Sequence, residues 1–237
     1  MKKRYIKKWS GADVANLRIH RHDGGYGLFI GKDQVCTPAG NWVSHNQRDV
    51  VYAIAQEAWV TGALDVTNGQ YYSMYATQHD LLAASFAGFV DQLPHMLAVH
   101  EVVMRPMPGP EQIEQNWSWR SVATWLSSHG CTMPFGGNPV DATLIALLSG
   151  TLLALHPAQQ TAVMSLYSRH QLSLLMALMV VLGHCNGEEY GDGCLVGNPR
   201  HPIFGMGDYT AYRNDMVTLT REAYIARSYA ELMQRTR

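Results

Sequence analysis

The chain has 237 residues, 47 % of them hydrophobic and only 16 % charged, with a formal net charge of -1. That length buries a core of its own. The composition excludes a disordered chain, which needs more polarity, and a general nucleic-acid binder, which needs a basic excess. Charge is uneven along the chain: residues 1–50 hold 9 Lys or Arg against 4 Asp or Glu, whereas residues 51–237 hold 9 Arg against 15 acids. Lys2, Lys3, Arg4, Lys7 and Lys8 form a basic amino-terminal group, read either as a peripheral contact for an anionic lipid or acidic protein or as a solvated arm.

The longest nearly apolar runs, 142–155 and 174–182, fall short of the roughly 18 residues a bilayer-spanning helix needs, so no transmembrane segment is expected. The start, MKKRYIKKWSG, lacks the apolar stretch of a secretory signal. Cys36, Cys131, Cys185 and Cys194 are too widely spaced for a small-domain disulfide framework and read as free thiols. Six Trp, 12 Tyr and 12 Met among so few charges imply a large protein-partner surface.

In chain order, residues 1–43 read as a small antiparallel β domain. Leu17 and Ile19 alternate with polar neighbours, Asp23-Gly24-Gly25 is a turn, and the stretch 25–35 supplies a strand, a Gly-Lys-Asp turn and a return strand. From Ser44 the period becomes helical, giving a domain over 44–237. Ser44 and Gln47 suggest a capping box, with Val51, Ile54, Ala55, Ala58 and Trp59 on one face and Gly62 as the stop. Thr77-x-x-Asp80 reads as the next helix start. Residues 105–110 form a rigid proline-rich connection, and Pro110 opens a helix in which Ile113, Trp117, Ser121 and Trp125 recur at intervals of four. That stripe is either packed core or a recognition face.

Asn138-Pro139 reads as the start of a central helix that is apolar almost all round. Pro157 begins a helical stretch to Leu182, with a bend near 168–170. Seven glycines between Gly183 and Gly207 argue for a long loop or excursion over 183–217, because glycine loses the most backbone entropy on ordering. If ordered, the segment should be held by residues such as Tyr190, Phe204 and Tyr209. Helical period returns in 218–234, where Thr220 can cap and Ala223, Ala226, Ala230 and Met233 share a face. The fold class is α+β.

Several local patterns resemble the ATP12 family, the chaperones that hold the α subunit of the mitochondrial F1 ATPase before α and β pair. Lys3-Arg4-Tyr5 resembles the family's basic-aromatic opening, and Thr37-Pro38-Ala39-Gly40-Asn41 resembles its turn before the first helix. Glu57 and Trp59 resemble its Glu-Trp pair with Ala58 interposed. Trp117 and Trp125 resemble its tryptophan helix, and residues 173–178 its later Leu/Ala-rich helix. Glu231 and Gln234 resemble the closing acidic-glutamine pattern, with Ala230 at the other acidic position. The resemblance implies a small amino-terminal β-rich domain before a larger helical one. It also implies a non-catalytic assembly chaperone in the mitochondrial matrix, or on the matrix side of the inner membrane, that binds the F1 α subunit through Glu57, Trp59, Trp117, Trp125, Glu231 and Gln234. No cofactor is implied. The family's Trp-Gly and acidic residues do not follow Gln234, and this favours an alternative: a structural accessory subunit of a large mitochondrial complex such as ATP synthase, built on the same fold and contacting other subunits.

Catalytic and metal chemistry find little support in the residues. His184, Cys185, Cys194 and His201 are ligand types at intervals that match no compact zinc site. Glu188, Glu189 and Asp192 read as solvated loop acids, and neither Ser149 nor Cys131 sits on a nucleophile elbow. Gly24-Gly25-Tyr26-Gly27 is too short for a phosphate loop.

Overall fold

The computed structural model describes residues 8–22, 24–66, 70–99, 110–133, 140–196 and 209–235. A small amino-terminal β-rich region precedes a larger helical one. By contact the chain divides into two units, residues 1–86 together with 228–237, and residues 87–227.

In the first unit the strands are short and antiparallel. β1 (Lys8–Ser10) pairs with β6 (Ala63–Asp65), while β2 (Leu17–His22), β3 (Gly25–Ile30) and β4 (Asp33–Gln34) form a meander with β5 (Ser44–His45) on β3. Of the alternating pair Leu17 and Ile19, Leu17 is fully buried and Ile19 half-buried, and Leu28 opposite Ile19 on β3 is fully buried. Gly25 is required where it stands: φ is 150°, and a Cβ there would lie 2.4 Å from the His45 carbonyl oxygen.

Strand structure thus extends past residue 43. Ser44 belongs to β5 and caps nothing, because α2 (Arg48–Thr61) starts four residues later with Gln47 at its N-cap and no side-chain cap bond. Gly62, in the left-handed conformation, ends that helix as its sequence position suggests. Val51, Ile54, Ala55 and Ala58 are buried, whereas Trp59 turns outward. Thr77 and Asp80 do not open a helix either: they close α3 (Tyr71–Asp80), and α4 (Leu82–Asp91) follows. Asp80 instead pins the 37–41 turn, accepting hydrogen bonds from Thr37 Oγ1 at 2.6 Å, Ala39 N at 3.0 Å and Asn41 Nδ2 at 2.8 Å. The carboxy-terminal end of α12 (Tyr209–Gln234) completes this unit. Tyr229 is buried there and donates to Gln78 Oε1 at 2.7 Å.

The second unit is helical: α5 (Leu93–Val99), α6 (Pro110–Ser118), α7 (Arg120–Ser128), α8 (Ala142–Ala154), α9 (Pro157–His170), α10 (Leu174–Leu182), α11 (Gly187–Leu195) and α12 as far as Arg227. Its centre is α10, where every residue from Leu174 to Val181 is buried and which touches α7, α9 and α11. Ser173 caps α10 by accepting from Met176 N at 3.0 Å, and Gly183 ends it in the left-handed conformation. The expected bend between α9 and α10 is a full break, with Gln171 at φ 50°.

Two expectations are corrected here. Helix α8, despite its apolar composition, buries only Leu144, Leu148 and Leu152, and Leu153 is 58 % exposed; it starts from an Asp141 cap, while Asn138-Pro139 lies outside the described residues. The glycine-rich stretch is not a loop throughout, since residues 187–195 are helix α11 and α12 begins at Tyr209 rather than near Thr220, which lies inside that helix. Asn186 and Glu189 form a reciprocal capping box on α11. Its glycines allow close approach: a Cβ on Gly187 would lie 2.8 Å from the Thr220 carbonyl oxygen, and one on Gly193 would lie 2.6 Å from Met176 Cε. The small residues remove side-chain bulk where α11 meets α12 and α10. Ala223, Ala226, Ala230 and Met233 are buried on one face of α12 as their spacing suggests.

Candidate protein-binding surfaces

On the first unit, the outward face of α2 carries Tyr52 and Trp59, seven residues apart and each 43 % exposed. Their rings meet edge-on at 6.0 Å, beside the exposed Val60. Glu57 on the same helix has a structural partner: its carboxylate accepts from the backbone N–H of Tyr71, the first residue of α3. Gln70, the N-cap of α3, supplies no side-chain bond, so Glu57 fills that place and adds negative charge at the helix N-terminus. Glu231 and Gln234, on the last turn of α12, are both exposed.

In the second unit, the expected tryptophan stripe is split by the break between α6 and α7. Ile113 and Trp117 on α6 are 72 % and 64 % exposed, while Trp125 on α7 is buried against the His129 ring at 4.7 Å. The core tryptophan of this region is Trp119, fully buried at the break, with Nε1–H donating to the Gly193 carbonyl at 3.1 Å. Trp117 is held in place from one side. The Arg120 guanidinium lies 4.4 Å from its ring centroid, donates to the Trp117 carbonyl at 2.9 Å and pairs with Glu189.

Two of the three acids read as solvated, Glu189 and Asp192, are partnered. Glu189 serves both Arg120 and the α11 cap; Asp192 accepts from Ser118 Oγ and, at 3.4 Å, from the Tyr212 hydroxyl. Only Glu188 of that group is exposed. Glu222 on α12 takes Arg169 Nη1 at 2.8 Å and His170 Nε2 at 2.6 Å. Burial pushes the Glu222 carboxyl upward, but the His170 and Arg169 bonds outweigh it and hold it below its ordinary value.

Beside this network, Glu188 of α11 and Met216, Val217, Thr220, Tyr224 and Ile225 of α12 line an open groove of about 610 Å³, with Arg221 at its edge. Val217 and Tyr224 are 62 % and 53 % exposed. Tyr190 is buried, whereas Tyr209 is exposed and Phe204 lies outside the described residues.

Among the described residues no three His, Cys, Asp or Glu side chains gather to hold a metal ion, and His201 lies outside them. Burial, with the nearby Glu189 adding to it, pushes the Cys185 thiol up to about 12, a protonated form unsuited to nucleophilic attack or metal binding. The basic group Lys2, Lys3, Arg4 and Lys7 also lies outside the described residues, and Lys8 is placed only as part of β1. No helix of the described residues is long and apolar enough to cross a membrane.

Tyr52, Val217 and Tyr224 were not singled out by the sequence as surface residues, and Ile113 belonged to a stripe whose spacing fits core and recognition face alike. Tyr52 had a readable signal, since seven residues before Trp59 is the same helical face. The outward placement of Ile113, Val217 and Tyr224 depends on which neighbouring helix each faces, and spacing alone does not carry that.

No protein-family model matches the chain, and no curated protein sequence matches it significantly. Solved structures do resemble it. The crystal structure of Atp12 from Paracoccus denitrificans superposes with a TM-score of 0.71 at 17 % identity, covering 94 % of this chain and 96 % of that one. A point mutant of the same protein gives the same values. The Atu1473 protein of Agrobacterium tumefaciens, described as a candidate chaperone, gives a TM-score of 0.71 at 15 % identity over 90 % of this chain and 84 % of its own. The chain therefore has the fold of ATP12-like, chaperone-type proteins, shared across nearly its whole length.

Proposed function

We propose that this protein binds another protein subunit without performing chemistry on it, and that its client is the α subunit of an F1 ATPase, covered until its cognate subunit takes over. The observation that carries the reading is the end-to-end likeness to Atp12, over 94 % of this chain. The exposed side chains are of the kind that supports such a role. Tyr52 with Trp59, and Trp117 stacked by Arg120, are pre-positioned aromatic surfaces, the residue types that dominate protein interfaces. The mitochondrial matrix, or the matrix side of the inner membrane, belongs to this reading through its client. Glu231 and Gln234 add an exposed acceptor and amide near the end of α12.

The test is capture of purified F1 α subunit by the intact chain, followed by addition of β subunit. Binding of α alone, with release when β is added, is the expected result. Trp59→Ala or Trp117→Ala should weaken capture by about 2 kcal/mol, roughly 30-fold, at the one that lies in the interface. A fixed-stoichiometry complex from which β does not displace the chain would favour a structural accessory subunit instead. Failure to bind α at any concentration overturns the proposal.

A further inference from the structure

Along the outward face of α12, Arg213, Val217, Arg221 and Tyr224 follow one another at spacings of four, four and three, and all four are exposed. Residues so spaced form one seam, here alternating cation and apolar group. Neither arginine makes an ion pair among the described residues. Of the nearby acids, Glu222 is taken by Arg169 and His170 and Glu189 by Arg120, which leaves Glu188 as the exposed acid of the neighbouring groove and Asp215 half-buried on α12. The seam itself holds two arginines and no acid, on a body whose residues 51–237 carry 9 Arg against 15 acids. Beside it runs the groove walled by Glu188 and floored by Met216, Thr220 and Ile225. The wall is fixed in place, because α11 approaches α12 at glycine distance, with the would-be Cβ of Gly187 at 2.8 Å from the Thr220 oxygen and that of Gly191 at 3.2 Å from Met216 Sδ.

We propose that this seam and groove form a docking surface for an acidic amphipathic helix of a partner protein, its apolar side chains entering beside Val217 and Tyr224 and its carboxylates meeting Arg213 and Arg221. The inference rests on the protein-binding reading above and specifies the chemistry of one contact. An apolar groove supplies the binding surface, and the arginines select against basic helices.

The test uses the full chain and two labelled 18-residue peptides with the same leucine spacing, one flanked by Glu and one by Lys, in fluorescence anisotropy and circular dichroism. The Glu peptide should bind at least about tenfold more tightly, gain helix on binding and weaken as salt is raised. Arg221→Glu should lower its affinity about tenfold and abolish the preference, and Val217→Asp should weaken both peptides. Both positions are exposed, so the melting temperature should stay put. Equal binding of the two peptides, binding of neither, or an Arg221→Glu protein that still prefers the Glu peptide overturns the proposal. The peptide preference of the unsubstituted chain decides the matter even if a variant folds poorly. Capture of F1 α without any peptide preference removes this surface and leaves the client; a normal preference without capture removes the client and leaves the surface.

Discussion

Helices α8 and α11 lie in the same unit and invert what their compositions suggest. Thirteen residues without a single charge make up α8, yet it buries only one leucine row and leaves Leu153 exposed. Three of nine residues in α11 are glycine, yet it is capped at Asn186, buried along Gly187, Tyr190, Gly191, Gly193, Cys194 and Leu195, and receives the Trp119 indole N–H at Gly193. Intrinsic propensity is a weak term beside packing. In α11 the glycine penalty is offset because the missing side chains let two other helices approach, while in α8 nothing approaches Gly150 within 4 Å.

The largest expected effect sharpens this contrast at the centre of the unit. Leu178→Ala in fully buried α10 should cost about 2–5 kcal/mol in denaturant unfolding, whereas Leu153→Ala on α8 should stay within about 0.5 kcal/mol. Equal costs would mean that α8 is as deeply packed as α10.

Gly187→Ala comes next. Its Cβ would meet backbone, which cannot swing aside, so a loss of about 1–3 kcal/mol is expected by the same measurement. Gly193→Ala should cost less, because Met176 Cε and Sδ are the far end of a flexible side chain. A neutral Gly187→Ala would break the close-approach explanation.

The smallest effect has the opposite sign. Gly150→Ala, inside an α-helix with open space around it, should stabilise by roughly 0.5–1 kcal/mol, read as a raised thermal midpoint. Destabilisation there would show that the exposed face of α8 needs its glycine.

Much of the β region was legible because its signals are local. The turn around Gly24-Gly25, the burial of Leu17 and the stop at Gly62 each depend on a few neighbouring residues. The Ala223, Ala226, Ala230 and Met233 face was legible for the same reason, as a period needing no partner to define it. Helix α11 was hidden by glycine density, although Asn186 three residues before Glu189 carried a readable cap signal. Trp119 stands two residues from Trp117, about 200° around a helix, so a stripe counted through Trp117 passes it by, while the break at Trp119 is what parts the exposed Trp117 from the buried Trp125. Of the candidate surface residues, Trp59 came from family resemblance, Trp117 from that resemblance and from the four-residue stripe, and the α11–α12 groove exists only once the two helices are packed.

Hydrogen exchange of the chain alone and saturated with purified F1 α subunit tests the protein-binding proposal most directly. The expected result is slowed exchange confined to segments beneath the exposed faces, 52–60 on α2, 113–120 around Trp117 or 213–225 on α12, with the buried α10 amides unchanged. Identical exchange in every segment, with and without the subunit, would contradict it.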